Sequence, residues 1–218
     1  MTKYNIQCIF LASLHGVLEM DFSDYFAKHG MTPNSGLVDF FNALRVHFTE
    51  RHAALDLGAG NGRDALWLKH GAGFEKVVAV DLCEEITSFG QTHPEIECHQ
   101  MRIEGFVPLE RDFNLCLCLN TLWYMSKEDT VATIQKIYQA LRPGGILICN
   151  LMGPKDAYVS IQPQPWMSHW QNERYVRKLF SRYFVIESEE CYRLVPGKKG
   201  ELSRPVHSWT VVAKKIVK

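Results

Sequence analysis

The chain lacks an excess of charge of either sign: across its 218 residues, 24 Lys and Arg stand against 24 Asp and Glu, and the sequence pI is about 7.1. Without that excess there is no global attraction for a nucleic-acid backbone or an anionic membrane surface, so nucleic acid is not the expected partner and a small ligand is. No apolar run approaches the roughly 18 to 20 residues of a membrane-spanning helix, because charges or glycines interrupt each one. Seven cysteines are present (Cys8, Cys83, Cys98, Cys116, Cys118, Cys149 and Cys191), but no Cys-x-x-Cys pair. An odd count without such pairs argues against a disulfide framework and against a zinc or redox site. Cys116, Cys118 and Cys149 fall in apolar runs, where a thiol serves as a small hydrophobe, and the expected compartment is the reducing cytoplasm. The apolar run from Ile6 to Leu14 is broken by Gln7, ended by His15 and followed by no small-x-small cleavage site. It reads as an extra N-terminal segment rather than a leader.

What is present is an alternation. From Ala53 onward, short apolar runs alternate with amphipathic stretches, the pattern of a parallel sheet covered by helices on both faces. The runs predict strands at Ala53 to Leu57, Lys76 to Asp81, Cys98 to Ile103, Asn114 to Leu119 and Ile146 to Leu151. A helix is predicted from about Lys127 to Leu141, with a capping-box start at Ser126 and Asp129 and a stop at Pro143-Gly144-Gly145. Phe184 to Leu194 and His207 to Val217 read as two strands of a long-looped hairpin. The expected α/β architecture is therefore a Rossmann-like, doubly wound sheet of five parallel strands closed by a C-terminal antiparallel hairpin. Residues 1–50 are expected to form an N-terminal helical lid or flanking segment, with Leu37, Phe40, Phe41 and Leu44 on one helix face behind a cap at Asn34 or Ser35. Residues 51–218 form the main domain. A monomer or homodimer is expected.

The most informative stretch is Leu55-Asp56-Leu57-Gly58-Ala59-Gly60-Asn61-Gly62-Arg63-Asp64, an apolar strand running through a glycine turn into a helix. Glycines let the backbone turn tightly and approach a ligand, and the helix start offers unpaired N–H groups. A dinucleotide fingerprint needs a further glycine where Arg63 stands, and Asp56 would sit badly beside a pyrophosphate. That carboxylate suits a ligand with a cation near the turn, such as the amino group of S-adenosylmethionine. Nineteen positions after Gly62, the next strand ends at Asp81, where a carboxylate can accept both hydroxyl hydrogens of a ribose.

With Asp81 after the second strand and Leu141-Arg142-Pro143-Gly144-Gly145 before the fifth, this run resembles the class I S-adenosylmethionine-dependent methyltransferases over about Ala53 to Leu151. The Gly60-x-Gly62-Arg63-Asp64-Ala65 form with Trp67 is similar to the tellurite-resistance and thiopurine type that acts on small molecules. The resemblance implies that Asp56, Gly58, Ala59, Gly60, Asn61 and Gly62 hold the methionine part, that Asp81 holds the ribose, and that Leu82 packs beside the adenine. Arg102 and Ile103 fall where the family carries an Asp-containing pair that reads the adenine amino group; this chain has no Asp there, and Glu104 is the nearest substitute. Asn120 to Tyr124 occupies the end of the fourth strand beside the transferable methyl group, without the Asn-Pro-Pro-aromatic motif of nucleic-acid base methyltransferases.

Methyl transfer from a sulfonium disperses positive charge, so an apolar cavity that holds nucleophile and methyl at attack distance supplies much of the catalysis. Trp123 and Tyr124 are candidate catalytic walls, joined by Met152, Tyr158, Trp166, Met167 and Trp170. Either His169 or His29 is a candidate base for a phenol, thiol or amine, although none is required. No metal set is expected, since Asn120 alone does not make one. The leading expectation is a methyltransferase for a small molecule. The alternatives are a macromolecular substrate docked on basic residues such as Arg193, Lys198 and Lys199, and a non-catalytic cofactor-binding module; a nicotinamide-dependent dehydrogenase is more distant.

Overall fold

The computed structural model describes residues 27, 30–34, 37–38, 41–42, 50–108, 111–156, 173–195 and 204–216. Five segments carry the first half of the sheet and its covering: β1 (Ala53–Leu57), α1 (Arg63–His70), β2 (Lys76–Asp81), α2 (Glu85–Thr92) and β3 (Glu97–Gln100). They are followed by β4 (Phe113–Cys118), a short 3-10 helix (Leu122–Tyr124), α3 (Lys127–Ala140), β5 (Leu141–Met152), α4 (Glu173–Phe180), β6 (Phe184–Val195) and β7 (Arg204–Lys215). The seven strands form one sheet in the order β3-β2-β1-β4-β5-β7-β6. β1 to β5 run parallel, while β7 lies antiparallel between β5 and β6. The expected parallel core and antiparallel hairpin are both present.

β1 and β4 are buried along their whole lengths, as strands covered on both faces must be. On one face Leu55, Leu57, Val80, Cys116, Cys118, Leu147 and Cys149 pack against Ile134 and Ile137 of α3 and Val176 and Phe180 of α4. On the other, Ala54, Val77, Ala79, Leu115 and Leu117 pack against Ala65 and Leu68 of α1 and Ile86 and Phe89 of α2. The cysteines in these strands fill core volume, and burial pushes the Cys116 and Cys118 thiols well up from their ordinary range.

Several boundaries differ from the sequence expectation: β4 is shifted by one residue, β7 begins at Arg204 rather than His207 and ends at Lys215 rather than Val217, and the end of β3 and the start of β5 move furthest into or out of the sheet. β3 stops at Gln100 rather than Ile103, because its neighbour β2 ends at Asp81, opposite Gln100; the Met101 N–H still donates to the Asp81 carbonyl at 2.8 Å, and past it the ladder ends. Arg102 and Ile103 instead begin the turns that Gly105 and Phe106 close with N–H bonds to their carbonyls. β5 begins at Leu141, directly after α3, rather than at Ile146. Leu141 pairs with Phe113, and the ladder then shifts register before Leu115 meets Ile146, so Pro143-Gly144-Gly145 is accommodated as a bulge with Gly144 at φ 76. The α3 start is as read from sequence: the Ser126 hydroxyl accepts the Asp129 N–H at 3.1 Å.

At the N-terminal side, Ser35, one of the two candidates, lies outside the described residues, while Asn34, the other, acts as a cap. Its Oδ1 accepts the Leu37 N–H at 3.4 Å and its carbonyl accepts the Val38 N–H at 3.1 Å. Leu37 and Phe41 are buried, and the Phe41 ring packs edge-on to Trp67 of α1 at 5.2 Å. Trp67 is thereby engaged in packing. Phe40 and Leu44 lie outside the described residues, as does most of the expected lid.

Candidate active site

The parallel strands deliver their carboxyl ends to one edge of the sheet, the place where ligands bind in open α/β folds. Between β1 and α1, Gly58, Gly60 and Gly62 take φ values of 81, 57 and 82. The conformation of Gly58 is matched by close packing: a Cβ there would lie 1.9 Å from Thr121 Oγ1. Gly62, the residue preceding α1, is pressed against the Phe89 ring, which a Cβ would meet at 2.4 Å. The loop is hung on β2, since the Gly58 and Ala59 N–H groups donate to the Val80 carbonyl at 2.8 and 3.1 Å.

Asp81, at the end of β2, joins this loop directly. Its Oδ2 accepts the Gly60 N–H at 2.7 Å, and its Oδ1 accepts the Cys83 N–H at 2.9 Å. Each oxygen keeps further acceptor capacity beyond these bonds. The Cys83 thiol donates to the Gly60 carbonyl at 3.3 Å, which ties the two segments a second time.

Asp56 is buried at 3% exposure on the α1 side of β1. Among the described residues its Oδ2 has no hydrogen-bond partner, although the Ala65 N–H supports the carboxylate. Burial, reinforced by the negative charges of Asp64 and Asp81, holds the Asp56 carboxyl well above the usual carboxylate range, with Arg63 opposing. A buried carboxylate oxygen without a donor is costly unless a cation or donor completes it. Asp64 is also buried and raised, chiefly by desolvation; the Asn34 N–H, 2.7 Å from its Oδ1, works against that. Asn61 is partly exposed and donates to the Gly30 carbonyl at 3.0 Å. The stretch from Gly30 to Asn34 therefore runs beside the glycine loop, a link that sequence spacing did not reveal.

At the end of β4, Asn120 has φ 56, a left-handed value rare outside glycine. Its N–H donates to Asn150 Oδ1 at 2.5 Å, and Asn150 Nδ2 donates back to Asn120 Oδ1 at 2.7 Å. Asn150 was not singled out by sequence reasoning; a polar residue inside the apolar run Ile146 to Met152 was the available signal. Trp123 and Tyr124 follow in the 3-10 helix with ring centroids 6.1 Å apart, and the Trp123 indole N–H is buried without an acceptor among the described residues.

The adenine-side candidates are arranged differently from one another. Leu82 is 43% exposed, which leaves an apolar side chain open to a planar ring. Arg102 is paired with Glu104 at 2.9 Å, and the Ile103 side chain is packed into the core beneath α3. His169, His29, Tyr158, Trp166, Met167 and Trp170 lie outside the described residues.

Residues 54–145 match a family model described as a methyltransferase domain. The malonyl-[acyl-carrier protein] O-methyltransferase of Xylella fastidiosa (strain M23) is 28% identical over a match covering 58% of this chain and 51% of that protein, so the matched region spans about half of the curated relative. TehB from Haemophilus influenzae superposes with a TM-score of 0.64 at 18% identity, over 90% of this chain and 68% of that one. A 1,6-didemethyltoxoflavin-N1-methyltransferase from Burkholderia thailandensis, solved with 1,6-didemethyltoxoflavin and S-adenosylhomocysteine, gives 0.60 at 19% identity over 89% and 82%. The matched stretch runs from β1 into β5 and includes the glycine loop and Asp81, and the superposed structures share the strand order around it.

Proposed function

We propose that this protein transfers a methyl group from S-adenosylmethionine to a small-molecule acceptor. The observation that carries the cofactor half is the buried Asp56 Oδ2 beside the glycine loop, which has no hydrogen-bond partner among the described residues. An ammonium group such as that of the methionine moiety completes it, where a pyrophosphate would be repelled. Asp81 offers the ribose hydroxyls its remaining lone pairs while it holds Gly60, and Leu82 offers an apolar surface to the adenine. When bound, the cofactor supplies an electrophilic methyl carried on a sulfonium.

The chain's own part is positioning and exclusion of water. Asn120 and the 3-10 helix that follows bring Trp123 and Tyr124 to the carboxyl end of β4, and their rings are proposed to orient the acceptor nucleophile. The Trp123 N–H, buried without an acceptor among the described residues, suits a substrate that brings an oxygen or nitrogen lone pair to it. Residues 1–50 are proposed to flank or cover the site, which the bonds from Asn34 to Asp64 and from Asn61 to Gly30 support. His169 remains the proposed proton acceptor for substrates that need one. A small acceptor is favoured by the balanced charge of the chain and by its fold neighbour solved with the compound 1,6-didemethyltoxoflavin.

The test is to incubate the protein and S-adenosylmethionine with a panel of thiols, phenols, amines and metalloid oxyanions and to measure S-adenosylhomocysteine. Turnover with one panel member identifies the nucleophile class. Tight cofactor binding with no turnover on the panel, but turnover on RNA or protein, overturns the small-molecule reading.

A further inference from the structure

Asn150 is a polar residue within the apolar run of β5, and its side chain spends both of its hydrogen-bonding ends on one partner. The last paired residues of β4 and β5 are Cys118 and Cys149. Beyond them the strands are joined by the two bonds between Asn120 and Asn150, at 2.5 and 2.7 Å. The residue so held is the one non-glycine among the described residues with a positive φ. A left-handed conformation is disfavoured for a side-chain-bearing residue and persists where its surroundings over-determine it.

The next residue explains what the conformation achieves. Thr121 Oγ1 turns back to donate to the Leu119 carbonyl at 2.8 Å, and its side chain fills the space above Gly58, where a Cβ would come within 1.9 Å of it. A physical chain thus runs from Asn150 through Asn120 and Thr121 to the first glycine of the loop proposed to hold the methionine part.

We infer that Asn150 is a positioning residue: it fixes the left-handed turn at Asn120 and thereby seats Thr121 against the glycine loop, setting the shape of the cofactor site from the neighbouring strand. This rests on the cofactor reading given above, and the experiment separates the two. S-adenosylhomocysteine is titrated by calorimetry into wild-type protein and variants whose fold is checked by circular dichroism. Asn150→Leu, which keeps the branched shape but is larger and unable to hydrogen-bond, is expected to weaken binding about tenfold, in line with the loss of two half-buried bonds. Asn150→Asp is expected to stay within about threefold of wild type, because Asn120 can turn its amide over and donate to the new carboxylate.

In an Asn120→Gly background, where glycine adopts φ 56 without strain, the further change Asn150→Leu is expected to cost less than about threefold, a non-additive result. Asn150→Ala serves in place of Asn150→Leu should the latter not fold. Equal losses from Asn150→Leu in both backgrounds, an Asn150→Asp variant as weak as Asn150→Leu, or no loss in Asn150→Leu would each overturn the positioning role alone. Wild-type protein that binds no S-adenosylhomocysteine would overturn the cofactor reading and this inference with it.

Discussion

Asp81 and Gly60 are bound to each other through a 2.7 Å hydrogen bond from the loop amide to the carboxylate, so the acid proposed to hold the ribose also holds the loop proposed to hold the methionine part. One substitution should therefore disturb both ends of the ligand. Asp81→Ala is expected to reduce S-adenosylhomocysteine affinity by well over tenfold, since bonds to a charged acceptor contribute about 1.5 to 3 kcal/mol each. Calorimetry on a folded variant checks it, and unchanged affinity would remove Asp81 from the site.

Gly58→Ala combines an unfavourable φ of 81 with a collision against Thr121. The expected result is a loss of roughly 1 to 3 kcal/mol in stability, seen as a lower Tm, together with weakened cofactor binding. A variant with wild-type Tm and affinity would show that Thr121 moves aside freely.

Asp56 gives a pH-dependent prediction whose sign follows from its raised carboxyl, caused first by burial and then by Asp64 and Asp81. The folded chain keeps that proton over a pH window in which the unfolded chain has lost it. The stability it contributes is complete below the unfolded value and is lost as pH rises through the folded one. Asp56→Asn removes this loss, so its Tm advantage over wild type should grow with pH across the window and then level off. Affinity should respond in the opposite sense: wild-type affinity for S-adenosylhomocysteine rises as Asp56 ionises to meet the ammonium, and Asp56→Asn lacks that rise. Parallel pH profiles for the two proteins, by differential scanning fluorimetry and calorimetry, would place the ammonium elsewhere.

Trp123→Ala is expected to lower kcat/KM for the best acceptor by at least about tenfold while changing cofactor affinity less than threefold, because an acceptor-positioning side chain acts on turnover and the loop and Asp81 act on binding. Equal losses in both would assign the indole to packing.

The sheet was legible because β1, β2 and β4 are buried on both faces and so read as continuous apolar runs. The hairpin was legible from two strand-like runs on either side of a loop carrying Pro196, Gly197 and Gly200. The end of β3 was not, since it is set by where β2 stops and not by the composition of Met101 to Ile103. Nor was the start of β5, where Pro143 and two glycines signalled a break that the sheet absorbs as a bulge. Within the site, Asp56, the glycines and Asp81 were found from local spacing. Asn150, Thr121 and the link from Asn34 to Asp64 were not, because each depends on a partner brought close by the fold: thirty residues separate Asn120 from Asn150 and Asn34 from Asp64.

The position of β7 between β5 and β6 has a consequence for synthesis of the chain. Among the described residues β6 pairs with β7 alone, and β5 keeps one open edge until β7 is added. While the ribosome is still translating residues ahead of Arg204, the nascent sheet therefore ends in an uncovered strand, and β6 has nowhere to dock. Trp209, Val211 and Ala213 then arrive last and close the core on both sides of the gap. The interval before their arrival is when this protein is most exposed to strand-to-strand aggregation.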